Sequence, residues 1–174
     1  MKHLTIAFLA LSMLVSAPAL AQDPAALNDL EIAHVAYTAD NIDIRYAHLA
    51  LALTDSPEVR KFAETMISDH EAVNAAALKL LDKLGASAQD NFLSQTLNTN
   101  AEAIINDLAA RRGADFDRAY AANELAYHKA VNNLVEATFI PNIENAEVKA
   151  LFKQGLEIFR VHEGHAEMMV KAVQ

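Results

Sequence analysis

Residues 56–85, with the sequence SPEVRKFAETMISDHEAVNAAALKLLDKLG, decide the fold class because they spell one complete amphipathic helix. Ser56 can cap the first turn, Pro57 suits the first helical position, and Gly85 is typical of the residue that follows a helix. Apolar residues recur at alternating steps of three and four, which indicates a single inward stripe. The stripe comprises Ala63, Met66, His70, Val73, Ala77, Leu80 and Leu84. This segment predicts a helix over residues 57–84 with one histidine on its inner face.

The same periodicity predicts helices along the rest of the chain, over residues 27–53, 115–139 and 146–172, with a shorter one near 101–111. Short connections make antiparallel neighbours, whereas the long segment over residues 85–113 can cross the length of a bundle. We therefore expect an all-α fold. It is a four-helix bundle of two antiparallel hairpins, joined by a long crossover that contains a short extra helix.

The N-terminus has the pattern of a secretory signal peptide. Lys2 provides a positive start, an apolar run covers residues 4–15, and Ala-Leu-Ala at residues 19–21 fits a cleavage site. The apolar run is shorter than the roughly 20 residues that a membrane-spanning helix needs. We expect a signal peptide over residues 1–21, a periplasmic domain over residues 22–174, and no stable membrane insertion after cleavage.

Composition restricts the classes of partner and of metal ligand. The formal net charge of −9 argues against a nucleic-acid partner, because phosphate binding needs a basic face. The chain has no cysteine but seven histidines, so a metal site would use nitrogen, oxygen or thioether ligands.

Histidines interrupt the apolar stripes of three predicted helices. His70 lies on the inner face of the second helix. His162 and His165 occupy consecutive positions on the inner face of the last helix, and His128 shares a face of its helix with Glu124. At about 1.5 Å per residue, these histidines fall near the middle of helices that are ~40 Å long. Buried polar groups need partners, and one metal ion can satisfy several imidazoles together.

Several motifs of this sequence also match a known family. They are Phe62-Ala63, Asp69-His70, Phe116-Asp117-Arg118-Ala119-Tyr120 followed by His128, and His165. In these motifs the chain resembles the exported, ferritin-like bacterial proteins of the domain of unknown function 4142 family, over nearly all of residues 22–174. The resemblance implies a ferritin-like bundle with an acidic residue at Asp43, but it implies no activity. The chain departs from the family at Tyr127, where Asp is usual, and at His162, which is outside the family pattern.

Together these features predict a periplasmic metal-binding protein that sequesters or buffers its ion. The predicted ligands are His70, His128, His162 and His165, with Asp43 as a further ligand. Imidazoles with methionines nearby favour copper or zinc, and iron is also compatible with the imidazoles. The pattern favours binding over catalysis.

Two alternatives stay open at this point. One is a ferritin-like metal oxidase or peroxide-handling enzyme, although di-iron bundles need Glu-x-x-His on two helices and Glu31 with His34 is the one copy in the long helices. The other is a metal-free envelope stress or interaction module, in which the histidines form a hydrogen-bond network with Asp43, Glu124 and Tyr127. The sequence identifies no protein partner.

Overall fold

The computed structural model describes residues 22–174, which fold into helices joined by short connections. The five longest helices are α1 (Asp29–Leu53), α2 (Pro57–Lys83), α3 (Phe92–Ala109), α4 (Gly113–Leu134) and α5 (Ala146–Ala172). A 3-10 turn, Pro24–Ala26, precedes α1, and α4 continues through a π-helical turn, Val135–Phe139, and a last turn, Ile140–Asn142. No β-strand occurs between residues 22 and 174, so the all-α prediction is confirmed for this part of the chain.

The predicted signal peptide, residues 1–21, lies outside the described residues. Within residues 22–174, no helix combines the length and the apolar character that crossing a membrane requires. Both the cleavage of residues 1–21 and the periplasmic location therefore stay predictions.

Local capping explains the limits of α2. The Ser56 hydroxyl accepts a hydrogen bond from a first-turn N–H group, and Pro57 occupies the first helical position. At the other end Gly85 has φ 62°, a left-handed conformation that favours glycine. Its N–H and that of the next residue donate to carbonyls of the last turn, which closes the helix as a Schellman motif. The helix ends at Lys83, one residue before the predicted end.

The crossover helix is longer than the segment 101–111 predicted from the sequence. It begins at Phe92, because Asn91 and Ser94 form a reciprocal capping box at its start. The polar residues 95–100 lie within this helix and are mostly exposed. Their polarity therefore marks the outer face of a helix rather than a loop.

Four helices surround a shared interior. Helix α1 packs against α2 and α4, and α5 packs against the same two helices, so the contacts close a ring; α3 packs on the outside, mainly against α1. The connections at residues 54–56 and 143–145 join α1 to α2 and α4 to α5. Residues 84–112 cross from one hairpin to the other.

Two apolar clusters fill the ring at different levels. The cluster nearer the α1–α2 connection includes Ile42, Tyr46, Phe62, Met66, Phe116, Tyr120 and Met169. The cluster nearer the α4–α5 connection includes Ile32, Val35, Val135, Phe139, Ile143 and Leu156. On α1, α2, α4 and α5, buried acidic or histidine residues lie between the residues that belong to these two clusters. The interior is therefore apolar at both levels and polar between them.

Thr54 ties the α1–α2 connection to α4. Its hydroxyl donates a hydrogen bond of 2.5 Å to Oδ1 of Asp117, and both side chains are buried. Thr54→Val preserves the side-chain shape but removes this donor from a buried carboxylate, together with the acceptor of the Ser56 N–H, which costs about 1–3 kcal/mol. We expect a lower melting temperature by circular dichroism. The control is Thr99→Val, because the Thr99 hydroxyl is exposed and bonds only a carbonyl of its own helix. Equal effects of the two substitutions would contradict this role.

Candidate metal centre

Five ionisable side chains from four helices meet between the two apolar clusters. They are Asp43 from α1, His70 from α2, Glu124 and His128 from α4, and His162 from α5. None of them is more than 4% exposed. We call these five residues the histidine–carboxylate centre.

The donor atoms of the histidine–carboxylate centre form one continuous set. Ligand atoms of His70, His128 and His162 lie within 4.8 Å of one another, and so do those of Asp43, Glu124 and His128. Oδ2 of Asp43 lies 2.8 Å from Nε2 of His70 and 3.4 Å from Nε2 of His128. A void of about 10 Å³ borders these three side chains, which is close to the room that one water molecule needs. These groups could hold a metal ion.

Each of the three imidazoles has one ring nitrogen held by an outer acceptor. Nδ1 of His70 donates to Oδ1 of Asp40 at 2.8 Å, and Nε2 of His162 donates to Oδ2 of Asp69 at 2.9 Å. Nδ1 of His128 donates at 2.9 Å to the backbone carbonyl one turn earlier in α4. Carboxylates and carbonyls only accept, so the nitrogen that faces them carries the hydrogen. In its neutral form each ring then presents the lone pair of its other nitrogen to the interior; for His70, whose pKa is raised to about 10, this requires loss of the Nε2 proton that faces Asp43.

Those other nitrogens have no hydrogen-bond partner among the described residues. They are Nε2 of His70, Nε2 of His128 and Nδ1 of His162, and all four carboxylate oxygens of Asp43 and Glu124 are in the same situation. Two of these atoms, Nε2 of His70 and Oδ2 of Asp43, nevertheless lie 2.8 Å apart as a buried ion pair. Seven buried polar atoms without partners thus lie in one small region, whereas whole native domains contain only a few per 100 residues.

The charges of these side chains shift one another's pKa values. Burial acts to raise the pKa of Asp43, but the charge of His70 and its contact lower that pKa to about 2. Burial acts to lower the pKa of His70, but Asp43 and Asp40 raise it to about 10. Burial, with the negative charge of Asp43, raises the pKa of Glu124 well above its ordinary value. A cation that binds here would displace the protons on His70 and Glu124.

The structure brings together four of the five ligands predicted from the sequence: His70, His128, His162 and Asp43. His165 does not join them, because it is exposed on α5 and lines a separate surface depression with Met168. The expectation that His165 faces the interior is wrong.

A small error in helix phase explains the misplacement of His165. The buried residues of this part of α5 are Phe159, His162, Ala166 and Met169. The stripe predicted from the sequence instead passed through Ile158 and His165, each one position before a buried residue. Neighbouring positions on a helix differ by about 100°, so that one-residue difference moves a side chain to the outer face.

Three further acidic residues take part in or support the histidine–carboxylate centre. The sequence placed Glu124 on the face of His128 but not among the ligands. The position of Asp40 near the centre could have been predicted from the sequence, because Asp40 lies one turn before Asp43 on the buried side of α1. Asp69 belongs to the motif Asp69-His70, but the sequence does not indicate its partner, because His162 lies on a helix distant in sequence.

His162 gives the metal-free protein a specific pH dependence. Burial lowers the pKa of His162 from 6.5 to about 4, so the folded protein keeps this ring neutral in a range where the unfolded chain protonates it. The unfolded state then binds more protons, and stability is lost as pH falls from 6.5 towards 4, by up to ~3 kcal/mol.

We expect His162→Gln to lose less stability than the wild type over that range, as measured by chemical denaturation of chelator-treated protein. His48→Gln, at an exposed position of α1, is the control. Identical pH slopes for the wild type and His162→Gln would exclude a buried neutral His162.

Comparisons with known proteins place the chain in a family. Searches of curated proteins and of solved structures found no match. A family model described as a domain of unknown function, DUF4142, matches residues 15–169, a range that contains the whole histidine–carboxylate centre. The resemblance seen in the sequence is therefore confirmed, and the chain belongs to the DUF4142 family.

Proposed function

We propose that this protein binds one transition-metal ion, zinc or copper, at the histidine–carboxylate centre and thereby sequesters or buffers that ion in the periplasm. The observation that carries the proposal is the group of seven buried donor atoms without hydrogen-bond partners in the described chain. A cation in the group of His70, His128 and His162 would bind donors from α2, α4 and α5, and Asp43 of α1 lies 2.8 Å from the His70 imidazole. Without a cation, a buried polar atom that has no hydrogen-bond partner is unfavourable by about 1–3 kcal/mol.

The outer hydrogen bonds support binding of a metal over a simple polar network. Histidine ligands of metals almost always donate their second ring N–H to a carboxylate or carbonyl, which fixes the tautomer and orients the ring. His70, His128 and His162 each have this arrangement, with the remaining nitrogen turned inward. A network without metal would also pair the inward nitrogens of His128 and His162, which have no hydrogen-bond partner among the described residues.

The donor set favours zinc or copper(II). Three imidazoles with one or two carboxylates are ligands that both ions accept, and zinc sites of this kind are common. Of the three methionines near the predicted ligands, Met168 is 58% exposed, whereas Met66 and Met169 are buried in the apolar cluster nearer the α1–α2 connection. The choice of zinc or copper(II) therefore rests on the imidazole and carboxylate ligands.

We extend the proposal to the architecture and regard the ring of helices as a ferritin-like bundle. Two helix hairpins, one long crossover and inward-facing ligands from all four helices are the features of such bundles. This architecture would hold the ion at the middle level of the helices.

A second candidate function is a metal oxidase, and Glu124 is the observation that favours it. Dinuclear carboxylate bundles use glutamates from several helices, and Glu124 lies beside Asp43 with both oxygens free of hydrogen bonds in the described chain. It is the one glutamate of the histidine–carboxylate centre, so binding is the better-supported role. Oxidation of Fe(II) by oxygen or peroxide, faster with protein than with free metal, would favour the oxidase.

Metal content is the direct test of the binding function. We expect protein purified without an affinity tag to contain about one equivalent of zinc or copper by elemental analysis. We expect His128→Ala to retain less than about a tenth of it, because His128 belongs to both groups of donor atoms. His165→Ala, which changes an exposed histidine, is the matched control and should retain the wild-type content.

Circular dichroism distinguishes loss of metal from loss of fold in these variants, and His128→Asn is a second substitution that keeps a polar side chain. Wild-type protein that contains no metal and does not melt at a higher temperature with added zinc or copper would contradict the proposal. Equal metal content in the wild type and His128→Ala would contradict it as well, and would favour a metal-free module.

A further inference from the structure

An apolar cavity of about 180 Å³ lies between the helices of the ring, next to the histidine–carboxylate centre, and opens to solvent beside the exposed Ala130. Of its 23 lining residues, only Tyr37, Asp40, Asn74 and Tyr127 have polar side-chain atoms. For comparison of size, an engineered apolar cavity of roughly 150 Å³ binds benzene. The space is therefore large enough for a molecule that contains an aromatic ring.

The cavity adjoins the histidine–carboxylate centre, and the two have lining residues in common. Ala39, Asp40, Tyr127, Val131 and Phe159 line both the cavity and the small void at the histidine–carboxylate centre. A molecule in the cavity would therefore lie beside the carboxylate that orients His70, without being a ligand of the ion.

Two features of the backbone and side chains keep this space open. Helix α4 widens into its π-helical turn where it borders the cavity, and Val135 and Phe139 of that turn line it. Such turns are rare and often occur at functional sites. Small residues line much of the rest, namely Ala33, Ala36, Ala39, Ala77, Ala130 and Gly155. Larger apolar side chains at these positions would fill the space, and close packing is the normal state of a protein interior.

Asn74 places a buried side-chain amide in the mostly apolar lining of the cavity. Its side chain is 7% exposed, and Oδ1 is buried without a hydrogen-bond partner in the described chain. Asn74 also lines the cavity. A buried amide oxygen without a donor is unfavourable by about 1–3 kcal/mol. A ligand that carries a hydroxyl or N–H group would provide the missing donor once the Asn74 side chain turns its buried Oδ1 towards the cavity.

We propose that this cavity binds a small, mostly apolar molecule of one or two rings, which donates one hydrogen bond to Asn74. Mostly apolar walls with a few placed polar groups are typical of ligand sites. This site goes beyond the proposed metal binding and requires no metal, because none of the features above depends on an ion.

Indole and indene are a matched pair of probes, since they have nearly the same shape and only indole has an N–H donor. The measurement is isothermal titration of each probe into chelator-treated protein. We expect wild-type protein to bind indole more tightly than indene. Asn74→Leu should remove that difference, because it replaces the acceptor by an apolar side chain of similar size.

Gly155→Leu tests the location of the site. A Cβ at Gly155 meets only the Phe159 ring, at 3.5 Å, which is ordinary contact, so the larger side chain can extend into the cavity. Gly164→Leu is the matched control, because Gly164 lies exposed on the same helix with nothing within 4 Å. We expect Gly155→Leu to weaken indole binding at least about tenfold and Gly164→Leu to leave it unchanged. Ala77→Leu fills the cavity from α2 and serves as a second variant if Gly155→Leu does not fold.

The absence of indole binding to wild-type protein would overturn the proposal, as would equal affinities for Gly155→Leu and Gly164→Leu. Equal affinities of wild-type protein for indole and indene would overturn the role of Asn74. All titrations use metal-free protein, so these results are independent of the metal content. A failure of metal binding and a failure of this cavity site are therefore distinguishable.

Discussion

Ionisable side chains in the dry middle of the helical ring impose the constraint on which the rest of the structure depends. Packing on both sides removes water from Asp43, Glu124 and the three histidines of the centre. Nε2 of His70 and Oδ2 of Asp43 form an ion pair, which leaves five such atoms without a partner among the described residues. At ~1 kcal/mol or more for each, they cost an amount that reaches the lower end of the whole stability of a domain, about 5–15 kcal/mol. A bound cation would offset most of what remains, which is why the centre favours a ligand over a purely structural role.

Helix packing and imidazole orientation are coupled in this arrangement. Asp40 on α1 orients His70 on α2, and Asp69 on α2 orients His162 on α5. Each of these two rings is therefore held by an acceptor from a neighbouring helix rather than from its own. Only His128 uses a carbonyl of its own helix. The geometry of the donor atoms consequently depends on how the helices pack, and a change of packing would alter the centre even without changing a ligand.

Most of the fold could be predicted from the sequence because its determinants are local. Capping residues and the steps of three and four predicted four of the long helices to within a few residues, apart from the π-helical turn Val135–Phe139, which no local signal indicates. The start of α3 was missed because its exposed face has the composition of a loop. Periodicity locates the centre of a buried stripe but not its edges, so it correctly placed His70 and His162 and misplaced His165. The partnership of Asp69 with His162 depends on tertiary packing and left no trace in either helix alone.

X-ray absorption at the edge of the metal bound to the wild-type protein tests the central claim most directly, because the fine structure reports the atoms around the ion. The account predicts a shell of nitrogen and oxygen at about 2.0–2.2 Å with the outer scattering of two or three imidazole rings, and no sulfur. A shell that lacks imidazole scattering, or one that contains sulfur, would contradict the claim that His70, His128 and His162 hold the ion between the four helices.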